Sequence, residues 1–144
     1  MEKDKKGEFY MEFMKEVEEL IQRYADAVHT QDEKEFKSLW TLEETNIEIS
    51  GTTLFNGIES IYQDFLIDMI QKKYSSIYLI NDGLQAYLLT DDVAVAVFKY
   101  HTECIIRESG KSHRIAGLET QVLKKTSEGW KIAHIQYHGK EIAL

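Results

Sequence analysis

Two side chains of this sequence could donate or accept a proton inside the molecule, Tyr24 and Glu119. Tyr24 belongs to an apolar stripe at helical spacing, and a buried phenol can donate a hydrogen bond to a ligand oxygen. Glu119 lies two residues before Gln121, so both side chains share one face of a strand. If that face is the interior, burial raises the pKa of Glu119 towards values useful for proton transfer. The alternatives are structural: Tyr24 as a core residue, and Glu119 as a buried acid held by hydrogen bonds.

The other candidates for chemistry predict neither a metal site nor a cofactor. His134 and His138 are four residues apart, which suits a metal pair on a helix, but on a strand they lie about 13 Å apart. Cys104 is the sole cysteine, and we expect a small buried residue rather than a nucleophile. The sequence has no phosphate-binding glycine loop and no nucleophile elbow. We therefore expect no metal and no cofactor.

Helical periodicity predicts three helices in the first half of the chain. The first carries an apolar stripe made of Phe9, Phe13, Val17, Leu20, Tyr24 and Ala27 or Val28. Asp32 and Glu35 form a candidate capping box for a short second helix, whose inward face includes Trp40. Residues 45–50 alternate as a strand and are followed by a turn at Gly51. The third helix has a stripe made of Ile58, Ile61, Tyr62, Phe65 and Met69.

From Ser76 onward, β-branched and aromatic residues between turn signals predict consecutive antiparallel strands. The turn signals are Asn81-Asp82-Gly83, Asp91-Asp92, Ser109-Gly110-Lys111 and Ser127-Glu128-Gly129. After Asp92 we expect the uncharged alternate residues to face the interior, namely Ala94, Ala96, Phe98, Tyr100, Thr102 and Cys104. In the earlier strand Glu48 alternates with Ile47 and Ile49, so we expect it to be a solvated surface charge.

Length, composition and charge predict one domain of the α+β class. The chain has 144 residues, 43% of them hydrophobic, and no proline, and a chain of this length can bury a core without a disulfide or a metal. The net charge of −8 disfavours nucleic acid and anionic membranes as partners. No signal peptide or membrane-spanning run is evident, so we expect a cytoplasmic protein. We predict a single domain over residues 1–144, with a flexible terminus at residues 1–7.

The order of the predicted elements, together with three short segments, resembles the SnoaL-like branch of the nuclear transport factor 2-like superfamily, which includes ketosteroid isomerases. The segments are Arg23-Tyr24 with Val28 and Asp32, then Gly57-Ile58-Glu59-Ser60-Ile61, and Glu128-Gly129-Trp130-Lys131-Ile132-Ala133-His134. The C-terminal half is also similar to the association domain of calcium/calmodulin-dependent protein kinase II. The resemblance implies a cone-like fold in which three N-terminal helices pack on a curved antiparallel sheet, in the order α-α-β-α-β-β-β-β.

The resemblance also implies where a ligand pocket would lie. Tyr24 falls where ketosteroid isomerases keep an oxyanion-stabilising tyrosine, whereas an isoleucine of the segment 46–50 falls at the position of their carboxylate base. The pocket arginines of the kinase domain match Tyr100, Gln121 and Tyr137, and a second alignment puts His101 at the first of these positions. Because no arginine is kept, the resemblance implies no pocket for a carboxylate ligand.

Three functional hypotheses follow. The first is a binding protein for a small aromatic or polyketide-like molecule, with a neutral pocket lined by Tyr24, Trp40, Phe98, Tyr100, Gln121 and Tyr137. The second is an isomerase, dehydratase or cyclase in which Glu119 is the acid or base and Tyr24 the oxyanion donor. The third is a non-catalytic assembly module, as in the kinase.

The outer face of the predicted sheet is apolar, which predicts a homodimer. Opposite the inner residues, the strands present Val95, Val97, Leu118, Thr120, Val122, Trp130 and Ile132, with polar side chains around or between them from Lys99, His101, Glu103, His134 and Gln136. A sheet face in contact with water normally carries polar residues at alternate positions. We therefore expect a second copy of the chain to cover this face.

Overall fold

A computed structural model of the protein describes the backbone of residues 2–143 and the side chains of residues 5–143. The helices are α1 (Glu2–Thr30), α2 (Glu33–Ser38) and α3 (Ile58–Ser60), and α3 continues directly into a π-helical segment (Ile61–Gln71). The strands are β1 (Ile47–Ser50), β2 (Thr53–Asn56), β3 (Tyr74–Leu88), β4 (Val93–Ile106), β5 (Ser112–Thr126) and β6 (Gly129–Ile142). The fold is α+β, as predicted, with the helices on the concave face of one sheet.

Helix α1 provides most of the helical contribution to the core. Its buried stripe begins at Phe13, whose ring packs edge-on against Trp130 at 5.7 Å between centroids. Phe9, expected in the same stripe, is exposed because the helix extends past the sheet before Phe13. The helix begins at Glu2, so residues 2–7, expected to be flexible, are helical in the structure. No helix of the described chain is both long and apolar enough to cross a membrane.

The second and third helical segments close the concave side. Asp32 caps α2, because its side chain accepts a hydrogen bond from the Glu35 amide at 2.8 Å, as the capping-box pattern predicts. In the π-helical segment, hydrogen bonds span five residues, and residues five apart therefore lie on one face. The buried side chains follow that spacing, in two pairs: Ile61 with Leu66, and Phe65 with Ile70.

The six strands form one sheet in the order β2-β1-β6-β5-β4-β3. Five strands were predicted; the sixth is β2, which forms because the chain turns back at Gly51, where φ is +60°. Gly51 is favoured at this turn because a residue without Cβ adopts positive φ at little cost. All neighbouring strands are antiparallel except β1 and β6, which pair in parallel. The predicted antiparallel sheet is therefore confirmed, and the pair formed by β1 and β6 is the parallel exception within it.

Of three register shifts among the described strands, one lies at the start of β3, between Tyr74 and Ser76, and two lie inside the strands. Asn81-Asp82-Gly83, predicted as a turn, is a bulge inside β3, where the Gly83 amide donates to the Asn81 side chain at 2.9 Å. A second register shift lies in β6 opposite the step from Val122 to Leu123. Because a bulge inserts one residue, it reverses the alternation that follows.

The bulge in β6 corrects the predicted outer face of the sheet. Trp130 and Ile132 were expected on that face, but both are buried in the core before the bulge. After it, Ile135 and Tyr137 point inward, and the convex face receives His134 and Gln136. The predicted alternation of β4 is confirmed, since all six of its expected inner residues are buried.

The convex face remains rich in apolar residues even without Trp130 and Ile132. Val95, Val97, Leu118 and Val122 lie on it in adjacent strands, and Leu118 is 56% exposed. The register also places Ile47 beside His134 and Ile49 beside Gln136 on this face. The isoleucines of β1 therefore point away from the concave core.

Candidate functional site

A cavity of about 270 Å³ lies between the concave face of the sheet, α1 and the π-helical segment. Its wall is mainly apolar and aromatic, with contributions from Val28, Phe65, Ile70, Tyr74, Ile77, Leu79 and Ile115. The exposed side chains of Lys73 and His138 also line it, so they mark the rim. A cavity with these dimensions and this lining suits a small molecule with an apolar body.

The structure brings together four of the predicted site residues. Tyr24, Tyr100, Glu119 and Tyr137 line the cavity, from α1, β4, β5 and β6 respectively. Three others do not reach it: Trp40 and Phe98 are packed in the hydrophobic core, and Gln121 lies behind Glu119. The wall of the cavity therefore differs from the predicted one by these three residues.

Glu119 is the only carboxylate among the described residues that line the cavity. Its side chain is buried, and the Gln121 amide nitrogen donates to its Oε2 atom at 2.7 Å. Burial raises the pKa of Glu119 to about 7, even though the hydrogen bond from Gln121 acts to lower it. A carboxyl group with this pKa exchanges a proton readily near neutral pH.

Glu48 is a second buried carboxyl group, and the prediction that it is a solvated surface charge was wrong. Its side chain has no exposed area, and the Tyr24 hydroxyl donates to its Oε1 atom at 3.0 Å. Burial, and next the charge of Glu119, raise the pKa of Glu48 well above its ordinary value. The negative charge of Glu119 therefore disfavours ionisation of Glu48.

The inward orientation of Glu48 follows from the polar residues around it. Asn46, just before β1, and Glu48 and Ser50 within it occupy alternate positions, and all three are buried. Asn46 exchanges two hydrogen bonds with Thr41, at 2.6 and 2.8 Å. Ser50 donates to the Tyr137 hydroxyl at 2.5 Å. Alternation alone predicted that Glu48 lies on the face opposite Ile47 and Ile49; it could not tell which face was inside.

The structure also shows where the remaining candidate residues from the sequence lie. The His101 ring binds the Asp82 carboxylate at 2.6 Å on the convex side, whereas Tyr100 points inward, which settles the register between the two residues. Cys104 is a buried free thiol, and burial raises its pKa. Within residues 5–143, no group of three or more His, Cys, Asp or Glu side chains is placed to hold a metal ion.

Comparison with solved structures identifies the same fold in proteins of several activities. A nuclear transport factor 2-like superfamily protein from Salmonella enterica is 26% identical, with a TM-score of 0.81, over 90% of this chain and 91% of that one. Hexachlorocyclohexane dehydrochlorinase LinA-type3 from Novosphingobium barchaimii is 14% identical, with a TM-score of 0.76, over 93% and 89% of the two chains.

A third similar structure agrees with the resemblance seen in the C-terminal half. This protein from Xanthomonas campestris, provisionally described as a calcium/calmodulin-dependent protein kinase II association domain, is 18% identical, with a TM-score of 0.73, over 87% of this chain and 86% of that one. A search of curated protein sequences finds no match. The SnoaL-like domain family matches residues 17–138. The chain therefore belongs to the SnoaL-like domain family.

Proposed function

We propose that this protein is an enzyme that binds a small, largely apolar molecule in the cavity and removes a proton from carbon, leading to isomerisation or elimination. The observation that carries the proposal is the buried Glu119 carboxyl group at the cavity wall, with a pKa of about 7. When the pKa of a general base is near the pH of the reaction, a large fraction of the base is ionised, and the ionised form still binds a proton strongly.

The surroundings of Glu119 favour catalysis over a purely structural acid. Gln121 holds only one of its carboxylate oxygens, Oε2. Glu119 is buried at a mainly apolar wall, and a carboxylate in such a site is a stronger base than in solution. The fold also occurs in a dehydrochlorinase, whose name describes an elimination. Fold alone does not decide function, so this similarity supports the reaction class and no particular substrate.

A binding protein without catalysis is the second candidate. The apolar and aromatic lining favours ligand uptake whether or not chemistry follows. Under this hypothesis, Glu119 would accept hydrogen bonds from Gln121 and from the ligand. The two candidates differ in one measurable property, the transfer of a proton from bound carbon to Glu119.

A chromogenic elimination substrate tests the base without knowledge of the natural substrate. In a nitrobenzisoxazole, a carboxylate removes the ring C–H proton, the C–H electron pair completes a nitrile, and the N–O bond breaks to give a coloured phenolate. We expect the rate to rise with pH through about 7, because Glu119 acts only when ionised. Glu119→Gln should abolish this rate, whereas Glu128→Gln, which changes an exposed carboxylate, should retain it. A Glu119→Gln rate equal to that of the unmodified protein would favour the binding candidate.

We also propose that two copies associate through the convex face of the sheet. This face carries Val95, Val97, Leu118 and Val122 in adjacent strands, and an apolar patch in water is stabilised by a partner. Because a two-fold axis brings the same patch of both copies together, a homodimer covers both at once.

A further inference from the structure

The carboxyl group of Glu119 lines the cavity without a cation to offset its charge. Burial raises its pKa and the hydrogen bond from Gln121 lowers it, whereas no lysine, arginine or histidine among residues 5–143 contributes. Buried acids are normally retained with partners, and an ionised carboxylate in an apolar site is costly without one. The ionised form of Glu119 therefore lacks a positive partner, which a ligand in the cavity can supply.

One oxygen of this carboxyl group remains available to a ligand. Gln121 donates to Oε2 at 2.7 Å, and no group of residues 5–143 donates to Oε1. The enclosed polar side-chain atoms without a partner in this part of the chain belong to Trp40, Glu48, Tyr100 and Gln121, and Oε1 of Glu119 is not among them. Because Oε1 is neither bonded nor enclosed, it is open to the cavity that Glu119 lines.

Aromatic side chains line the cavity together with Glu119. They are Phe65 and four tyrosines, Tyr24, Tyr74, Tyr100 and Tyr137. The face of an aromatic ring attracts a cation, and the attraction is stronger where water is removed. One such contact exists at the rim, where the Lys73 ammonium nitrogen lies 5.3 Å from the centroid of the Tyr74 ring. An ammonium group deeper in the cavity would meet further rings as well as the carboxylate.

We propose that the cavity binds a protonated organic amine, whose ammonium group pairs with Glu119 and whose apolar body contacts the aromatic wall. The inference goes beyond the proposed function, because it concerns binding and requires no catalytic step. It also gives the carboxylate a second use, since an amine paired with Glu119 occupies the proposed base and would inhibit proton abstraction. No covalent bond is made or broken.

The charges of the chain and of the rim are compatible with a cationic ligand. The net charge of −8 attracts cations towards the protein. Lys73 at the rim is exposed, so water and salt screen its repulsion of a second cation. A metal ion fits less well, because it needs several oxygen ligands. Within residues 5–143, no group of three or more His, Cys, Asp or Glu side chains is placed to provide them.

A charged and an uncharged ligand of the same shape test the ion pair. We would measure binding at pH 8 of 2-aminotetralin, a primary alkylamine protonated at this pH, and of 2-tetralol, its uncharged counterpart. We expect the unmodified protein to bind the amine roughly tenfold to hundredfold more tightly, as for one hydrogen bond between charged groups. Glu119→Gln should remove this preference and keep its affinity for the alcohol. Glu128→Gln, which changes an exposed carboxylate, is the matched control and should bind both compounds normally.

Proton release on binding identifies the ionised partner of the amine in the unmodified protein. The pKa of Glu119 is about 7, so at pH 7 about half of the molecules carry a proton there. Because the amine pairs with the ionised form, binding should release about half a proton at pH 7. Calorimetry in buffers of different ionisation enthalpy measures this release. Between pH 8 and pH 6 the affinity for the amine should fall about tenfold, and an affinity that does not change with pH would overturn the proposal.

The other titratable groups near the cavity are distinguished from Glu119 as follows. Burial raises the pKa of every lining tyrosine, so these phenols stay neutral from pH 6 to pH 8: Tyr24, Tyr74, Tyr100 and Tyr137. Glu48 does not line the cavity, and its carboxyl group is bonded to Tyr24. His138 lies at the rim, and an imidazole can change its charge in this range. His138→Gln should therefore retain the proton release, and its loss in this variant would overturn the proposal.

Binding and elimination together separate this inference from the proposed function. If the protein catalyses elimination of the nitrobenzisoxazole, 2-aminotetralin should inhibit it competitively. Equal or undetectable affinities for the amine and the alcohol, or an amine preference retained in Glu119→Gln, would overturn the inference. The proposed function would still stand if Glu119→Gln abolished elimination. Amine binding with proton release in a protein that catalyses no elimination would support the inference and contradict the proposed function.

Discussion

Replacing Glu119 by glutamine should make the protein more stable at alkaline pH. The pKa of Glu119 is raised from 4.5 to about 7 by burial. At about 1.4 kcal/mol per pKa unit, ionising it in the folded state costs about 3 kcal/mol more than in the unfolded chain. The pKa of Glu119 is higher in the folded state than in the unfolded chain. The stability contributed by protonated Glu119 is therefore fully present below pH 4.5 and is lost as the pH rises through about 7. Between about pH 5 and pH 8 the loss amounts to about 2.5 kcal/mol.

The glutamine variant removes this pH dependence and keeps the local contacts. The new amide can present its oxygen to the Gln121 nitrogen that now donates to Glu119, so the hydrogen bond is retained. Glu48 titrates in both proteins, although its pKa is raised less when Glu119 carries no charge. The difference in unfolding free energy between the two proteins therefore measures the effect of ionising Glu119, together with the coupling of Glu119 to Glu48.

Urea unfolding at several pH values provides the measurement. The two proteins should have similar stability near pH 5, and near pH 8 the variant should be more stable by about 2 to 3 kcal/mol. Glu128→Gln is the control, because its exposed side chain should follow the unmodified protein at every pH. A constant difference between Glu119→Gln and the unmodified protein from pH 5 to pH 8 would refute the reasoning, because it would mean that Glu119 titrates normally in the folded state.

Three further substitutions test other parts of the structure. Tyr24→Phe removes the donor to Glu48 and should cost roughly 1 to 3 kcal/mol of unfolding free energy, whereas an unchanged stability would mean that Glu48 has another donor. Asn46→Ala removes both hydrogen bonds to Thr41 and should cost at least as much, measured by urea unfolding; a smaller loss would contradict the buried network. Val122→Asp should split the proposed dimer, and light scattering that gives a monomer for the unmodified chain at micromolar concentration would contradict it.

The sequence predicted the helices, the strands other than β2 and the inner face of β4, because each depends on local periodicity. In β4 the two faces differ in charge, since Lys99 and Glu103 alternate with uncharged residues. That contrast identified Tyr100 as an inward residue, and the structure confirms it. Tyr24 was assigned to the buried stripe of α1 for the same reason, and it too lies inside.

The wrong predictions concern strands in which the inward face cannot be recognised from the alternation of apolar and polar residues. In β1 the apolar residues Ile47 and Ile49 point to the convex face, and Glu48 points to the core. Hydrophobicity alone therefore selected the wrong face. In β6 the bulge reverses the alternation between Ile132 and His134, and no local turn residue announces it. Both features depend on pairing with strands that are distant in sequence.

The parallel pairing of β1 with β6 determines when this site can form. Ser50 and Tyr137, which meet across that junction, are 87 residues apart. Closing so long a loop costs entropy before the contact is made, and such contacts slow folding. During synthesis β1 emerges well before β6, so the sheet around Glu48 is incomplete until β6 has been made. The burial that raises the pKa of Glu48 is therefore established late, as β6 docks and completes the sheet around it.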